Sequence, residues 1–192
     1  MKIYDISQEV FSCKVYPGDP KPSAQTLSAT EKGDICNLTA FSMCAHNGTH
    51  IDAPFHFLGD GKTVDQLALS VFVGECYVAR HIGDVTQADA AAILQKAADA
   101  TRILIAGSAT VTQEAAEVFA NAGICLLGNE SQTVGPEDAP MQVHKTLLGK
   151  AVALLEGVVL ADVPEGHYFL SAAPLNLAGA DGAPCRAYLI ER

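Results

Sequence analysis

The middle of the chain alternates between helix-forming segments and short apolar runs, and this alternation restricts the fold more than any other feature. The segments TQADAAAILQKAAD (86–99) and TQEAAEVFANAG (112–123) are rich in alanine, and each begins with a threonine that can cap a helix. The runs RILIAGS (102–108) and ICLLGNE (124–130) follow them and have the composition of buried strands. Helices that alternate with buried strands predict a parallel core with right-handed crossovers, which indicates the α/β class.

Strand-like segments flank this middle region on both sides. Alternating or β-branched apolar residues predict strands over residues 2–6, 34–46, 71–80, 151–157, 167–175 and 184–192. The last three of these segments follow the helical region, so antiparallel and parallel strands should mix. We therefore expect a mixed sheet with two or three helices, in a single domain that spans residues 1–192.

Composition argues against several kinds of partner. The chain has 12 Lys and Arg against 22 Asp and Glu, a net charge of −10, whereas nucleic acids and anionic membranes require a basic surface. Residues 1–10 lack the apolar core of a signal peptide, and no apolar run is long enough to span a membrane, so we expect a cytoplasmic protein. The acidic balance leaves a small-molecule substrate or another protein as the simpler partner. Charged residues make up only 18% of the chain, which favours burial of apolar surface between subunits.

Three of the six histidines lie within the eleven residues HNGTHIDAPFH (46–56). His50, Asp52 and His56 are separated by even numbers of residues, so in an extended segment their side chains project to one face. Pro54 favours that conformation, because it biases the residue before it away from helix. The sequence therefore predicts an extended segment that presents imidazole and carboxylate groups together.

His46 lies four residues before His50, a spacing that would also bring the two rings together on a helix. The intervening Asn47, Gly48 and Thr49 are poor helix formers. We therefore expect the preceding strand to end near His46, and a turn at Gly48 to lead into the extended segment.

Imidazole nitrogens that converge with a carboxylate form a donor set suited to zinc, manganese or iron(II) rather than calcium or magnesium. Further donors are available in VHKTLLGKAVALLEG (143–157), which contains His144 and Glu156. Glu156 ends a five-residue apolar run, where its carboxylate would be buried unless it were paired or coordinated. Taken singly, however, a Glu at a strand end and a lone His are most often exposed.

The segment HNGTHIDAPFH resembles the H-x-G-T-H-x-D-x-P-x-H signature of the metal-dependent cyclase-type hydrolases, the family that includes bacterial kynurenine formamidase. The resemblance extends along the chain through DIS, YPGD, DGKTVDQL, VHKTLLG, LLEG and PLNLAGADGAPCRA. It implies a compact α/β/β sandwich of the swivelling type, which commonly forms a homodimer or homotetramer.

The resemblance also implies a two-metal centre, which holds zinc or, in some members, manganese. By similarity, His46, His50 and Asp52 bind the first ion. Asp52 and Glu156 bridge to the second ion, and His144 completes its coordination. These five ligands come from the two separate segments described above, so the resemblance favours the metal-binding interpretation of both.

His56 is similar to the family's proton donor and acceptor. Two dications carry +4 against −2 from two carboxylates, a field that lowers the pKa of water toward neutrality and stabilises an oxyanion. An imidazole can then pass a proton to the leaving nitrogen. The activity implied is that of an arylformamidase, which hydrolyses N-formylkynurenine to kynurenine and formate in tryptophan degradation.

Tyr16 occupies the position at which kynurenine formamidases carry a tryptophan that packs on the substrate ring, and the chain contains no tryptophan. Tyr16 retains a π-face and adds a hydroxyl, so we expect it to bind substrate, although a loop tyrosine can also simply cover a core edge. The replacement leaves open a hydrolase that opens a cyclic amide or lactone, such as isatin or a dienelactone. A non-catalytic metal-binding domain is a third alternative, but five protein ligands around two ions leave room for water.

Overall fold

The computed structural model describes residues 1–191, which form three α-helices and thirteen β-strands. The helices are α1 (Gln87–Ala97), α2 (Gln113–Asn121) and α3 (Met141–Leu148). The strands are β1 (Lys2–Asp5), β2 (Ser23–Ser28), β3 (Leu38–Ser42), β4 (His50–Asp52), β5 (Val73–Arg80), β6 (Gly83–Val85), β7 (Arg102–Ala106), β8 (Ala109–Val111), β9 (Leu126–Asn129), β10 (Ala153–Glu156), β11 (Gly166–Ser171), β12 (Gly182–Pro184) and β13 (Tyr188–Glu191). Position 192, the end of the last predicted strand, lies outside the described residues.

Nine strands form one mixed sheet in the order β1-β13-β11-β5-β7-β9-β10-β4-β12. The four central strands, from β5 to β10, are parallel, and the helices connect them in sequence. The strands on both flanks are antiparallel. The predicted α/β class, with a parallel core inside a mixed sheet, is confirmed.

Both predicted helix starts are confirmed at the level of single hydrogen bonds. The hydroxyl of Thr86 accepts from the backbone N–H of Asp89 at 3.3 Å, and the Asp89 carboxylate accepts from the Thr86 N–H in return. The hydroxyl of Thr112 accepts from the N–H of Ala115, also at 3.3 Å. After α2, Gly123 adopts a φ of +75°, a conformation that glycine reaches without a Cβ clash, so the helix ends there.

The large sheet encloses apolar side chains on both of its faces. One buried cluster lies between the helices and the parallel strands, and includes Phe119 of α2 and Ile103 of β7. The second cluster combines Leu104 of the central strand β7 with Ile51 of β4 and Leu189 of β13, which come from opposite flanks of the sheet. Flanking strands can share a core with the central strands only if the sheet curls over, which produces the α/β/β layering that the family resemblance implied.

The predicted long strand over residues 34–46 is wrong in length. Only Leu38–Ser42 is extended, and it pairs with β2 in a separate two-stranded ribbon whose side chains are mostly exposed. Leu27 and Phe41, for example, are 52% and 58% exposed. The alternating pattern was therefore real, but neither face of the ribbon is buried within the chain.

The predicted extended segment also stops earlier than expected, because Pro54–His56 form a turn of 3₁₀-helix. Ala53 is extended, as the following proline requires (φ −92°, ψ 160°). Pro54 itself occupies the first position of the turn, where its fixed φ suits a helical start. His56 therefore does not share a strand face with the β4 side chains.

The longest helix among residues 1–191, α1, has 11 residues, and none of the helices described is long and apolar enough to cross a membrane.

Candidate metal centre

The pairing of β4 with β10 places three of the predicted ligands on one face of the sheet. In this antiparallel pair His50 lies opposite Glu156, and Asp52 lies opposite Leu154, two positions before Glu156. Side chains directly opposite or diagonal on one face are close enough to interact. The intervening Ile51 and Leu155 point to the other face, where both are fully buried in the apolar core. Strand periodicity therefore separates polar donors from core residues.

His50 faces both carboxylates through one ring nitrogen. Its Nε2 lies 3.3 Å from Asp52 Oδ1 and 3.5 Å from Glu156 Oε2. Its Nδ1 lies 3.0 Å from the carbonyl oxygen of Gly48, which can only accept, so Nδ1 donates. Gly48 sits in the predicted turn with a φ of +64°, and the turn thereby fixes the orientation of the His50 ring.

His144 approaches the same carboxylates from α3 in a matching way. Its Nε2 lies 3.1 Å from Glu156 Oε1 and 3.6 Å from Asp52 Oδ2, and its Nδ1 donates to the carbonyl oxygen of Pro140 at 2.9 Å. Glu156 Oε1 also accepts from the backbone N–H of Val134 at 2.8 Å. A carbonyl partner that orients the imidazole is the usual support of a metal-binding histidine.

His46 and His56 complete the cluster from the turns on either side of β4. His46 Nδ1 lies 2.8 Å from Asp52 Oδ1, and the centroids of the two imidazole rings are 4.0 Å apart. On the outer side, Asp181 Oδ2 lies 2.9 Å from His46 Nε2 and 3.1 Å from His56 Nδ1. Gly182 leaves space for this arrangement, since a Cβ there would lie 2.6 Å from His46 Cε1.

Asp181 is a site residue that the sequence reasoning missed. It belongs to the segment PLNLAGADGAPCRA, which carries part of the family resemblance, but nothing in its spacing relates it to the histidine motif. The connection is made by the sheet, because Asp181 immediately precedes β12, and β12 pairs with β4. An acidic residue next to a glycine before a short strand was the only local signal.

The residues fit a divalent cation. His50, Asp52, His144 and Glu156 are each at most 2% exposed, and Asp52 Oδ2 is buried without a hydrogen-bond partner. A buried unsatisfied carboxylate oxygen is costly, and a cation removes that cost. Imidazole and carboxylate donors suit zinc or manganese.

The donor atoms form two groups, within each of which they lie no more than 4.8 Å apart, and Asp52 belongs to both groups. One group contains His46, Asp52 and His56, and the other contains His50, Asp52 and Glu156. The structure thus brings together all five predicted ligands and places His56 beside them. It groups His46 with His56 instead of with His50, so the division of ligands between two ions stays a prediction.

The charges in the cluster control the pKa values of its members. Burial would lower the pKa of His50, but hydrogen bonds and charges from Asp52 and Glu156 raise it to about 10. His144 is affected in the same way, and its pKa is also raised to about 10. Burial would raise the pKa of Asp52, yet the nearby imidazoles of His144, His46 and His50 hold it well below its usual range. Without metal, both of these histidines are therefore protonated at neutral pH.

We expect metal binding at pH 8 to release about two protons, because His50 and His144 must deprotonate before they can act as ligands. The number is measured by titration calorimetry with Zn²⁺ or Mn²⁺ in buffers of different ionisation enthalpy. A His144→Asn variant serves as the control and should release about one proton fewer. Binding with no buffer dependence would contradict the protonation states described here.

The cluster lies at the base of a pocket of about 430 Å³. Tyr16 lines this pocket, in the turn that runs to Asp19, and Gly18 in that turn has a φ of +99°. The Tyr16 hydroxyl donates to the carbonyl oxygen of Glu137 at 2.8 Å, which ties the loop to the segment before α3. Apart from Asp181, the lining residues not predicted from the sequence are Asp19, Cys44, Phe57, Gln132, Thr133 and Pro140.

A curled mixed sheet with a buried histidine–carboxylate cluster, open to a pocket, is the arrangement expected of a metal-dependent hydrolase. Comparison with known proteins agrees with this class. The Cyclase family model matches residues 4–106. A kynurenine formamidase of Erythrobacter litoralis is 33% identical over 207 aligned residues, which cover 99% of this chain and 94% of the relative.

Solved structures show the same fold. One, described as a potential metal-dependent hydrolase with cyclase activity, is 30% identical, has a TM-score of 0.84 and covers 100% of this chain and 98% of its own. Isatin hydrolase A of Labrenzia aggregata has a TM-score of 0.86 at 21% identity, with 100% and 94% covered. The chain belongs to the cyclase family of hydrolases, as its sequence predicted.

Proposed function

We propose that the protein is a metal-dependent amide hydrolase that converts N-formylkynurenine to kynurenine and formate. The observation that carries this proposal is the cluster around Asp52, in which histidine and carboxylate donors converge at the base of an open pocket. The similarity to a kynurenine formamidase over nearly the full chain supports the choice of substrate. A closed structural metal site would have no such pocket beside its donors.

We further propose that the centre holds two divalent ions, Zn²⁺ or alternatively Mn²⁺. His46, His50 and Asp52 would hold one ion, and Asp52, Glu156 and His144 the other. When bound, the ions supply Lewis acidity and a water activated for attack on the formyl carbon. The shared position of Asp52 and its unpartnered Oδ2 support a second ion.

The protein's own groups would carry the proton and hold the substrate. His56 is 27% exposed in its side chain and borders the pocket, so it can take a proton from water and deliver it to the leaving aniline nitrogen. Tyr16 and Phe57 offer aromatic faces to the aniline ring. Asp19 lines the same pocket and can pair with the α-ammonium group of the amino acid.

A second candidate is the opening of a cyclic amide such as isatin. None of the described residues that line the pocket is a lysine or arginine, so a substrate without a carboxylate would lose no ion pair with a cationic side chain there. The same donors and His56 would serve that reaction. The two candidates differ at Asp19, because isatin carries no cationic group for its carboxylate.

An assay of both reactions tests the proposal. With protein loaded with Zn²⁺ or Mn²⁺, we expect kcat/KM for formate release from N-formylkynurenine to exceed that for isatin ring opening by about tenfold or more, since one charge contact can account for this. The control is the same protein after chelation, which should turn over neither substrate. Clear ring opening without formate release would replace the first candidate with the second.

A further inference from the structure

We propose that Asp181 is a positioning residue that holds His56 in the tautomer with a protonated Nδ1 and links it to His46. The inference rests on the proposed function, in which His56 moves the proton. Asp181 contributes to neither group of donors around Asp52. Its role would be to act through the two histidines.

The geometry supports this role because a single oxygen contacts both rings. Asp181 Oδ2 lies 2.9 Å from His46 Nε2 and 3.1 Å from His56 Nδ1. An ionised carboxylate can only accept hydrogen bonds, so each of these nitrogens must carry the proton. The Nε2 of His56 then remains free of Asp181 and can exchange a proton with water or substrate. In His46 the remaining nitrogen, Nδ1, is the one that faces Asp52.

The backbone holds Asp181 in place independently of the histidines. Its carbonyl oxygen accepts from the N–H of Ala53 at 2.9 Å, next to the turn that carries His56. Two residues earlier, the N–H of Gly179 donates to the carboxylate of Asp65 at 3.0 Å. On the other side, β12 begins at Gly182 and pairs with β4. The carboxylate therefore keeps a fixed position relative to both histidine-bearing turns.

The partial exposure of Asp181 argues against a mainly structural role for its carboxylate. The side chain of Asp181 is 43% exposed, unlike Asp52, which is 1% exposed. Ion pairs that water can reach contribute little to folding stability, because solvent screens them. A half-exposed carboxylate that holds two rings at fixed positions is better placed to orient them than to stabilise the fold.

An Asp181→Asn variant tests the inference. We expect kcat to fall about 10- to 100-fold, as for other groups that orient metal-site histidines, with KM nearly unchanged and metal content equal to that of the wild type. Long-range ¹H–¹⁵N NMR of the imidazoles should show the Nδ1–H tautomer of His56 in the metal-loaded wild type and its loss in the variant. Asp181→Glu retains a carboxylate and should recover part of the activity.

Asp65→Asn is the matched control, because Asp65 contacts neither histidine and the amide oxygen of asparagine can still accept from the N–H of Gly179. It should leave kcat and the tautomer of His56 unchanged. The inference is overturned if Asp181→Asn keeps wild-type kcat and tautomer, or if it loses the metal, which would make Asp181 a ligand. The NMR result does not depend on substrate, so it stands even if the wild type hydrolyses neither substrate and the proposed function fails.

Discussion

Asp52→Asn is expected to abolish metal binding and reduce hydrolysis to the level of the metal-free protein. Asp52 is the one residue present in both donor groups, so its loss affects every position at which the cluster could hold an ion. An amide is a much weaker ligand than a carboxylate, and the ions supply several kcal/mol of transition-state stabilisation. We therefore expect kcat/KM to fall by about 10³-fold or more.

The same substitution should destabilise the metal-free protein at pH 6. His46, His50 and His144 face Asp52 at 2.8, 3.3 and 3.6 Å, and the amide would remove the one carboxylate that all three buried charges share. Removing one member of a buried charged pair typically costs about 3–5 kcal/mol. Urea unfolding in the presence of a chelator measures this loss. Asp60→Asn changes an exposed aspartate eight residues away in the sequence, and it should alter neither metal binding nor the free energy of unfolding.

The pH dependence follows from the direction of each pKa shift. The pKa of Asp52 is lowered, so its stabilising contribution is present above its ordinary value near 4 and is lost as pH falls through the folded-state value. The pKa values of His50 and His144 are raised to about 10, so their contribution is complete below 6.5 and is lost as pH rises toward 10. The difference in unfolding free energy between Asp52→Asn and the wild type should therefore shrink toward pH 10. A constant difference would contradict these pKa shifts.

The second large effect is expected at His56. His56→Ala should retain its metal and lose about 10²- to 10⁴-fold in kcat, the range over which a positioned acid–base group contributes. Metal content is measured by elemental analysis and kcat by formate release. His167→Ala removes an exposed histidine on β11, away from the centre, and serves as the control.

His56→Ala also decides between two roles for the residue. His56 lies with His46 and Asp52 in one of the donor groups, so it is close enough to be a ligand itself. Loss of metal together with activity would establish that role and would remove the proton carrier from the proposed reaction. Retention of both metal and activity would show that His56 has neither role.

The sequence predicted the elements whose signals are local. The helix starts at Thr86 and Thr112 depend on hydrogen bonds that span three residues. The buried strands of the parallel core were predicted from short apolar runs. The spacing of His50 and Asp52 is likewise a local property of one strand. In these cases the pattern and the physical cause lie within the same segment.

Long-range pairing determined what the sequence did not predict. Residues 34–46 alternate as a sheet strand would, but only their pairing with β2 reveals a ribbon without a buried face. Pro54 correctly predicted an extended Ala53, but a proline that starts a turn looks the same in sequence as one within an extended segment. Asp181 is half-exposed and reaches the cluster only through the β12–β4 pairing, so no pattern around it could have identified it.

The position of β4 in the sheet has a consequence for assembly of the centre. This strand lies in the first third of the sequence, whereas its neighbours β10 and β12 are about a hundred residues or more further along. Closing such a long loop costs conformational entropy. A nascent or partly unfolded chain therefore cannot present the complete donor set, because His50 and Glu156 come together only when β4 pairs with β10. Metal ions should therefore bind only after the sheet has formed, and their binding should then stabilise the pairing of its distant segments.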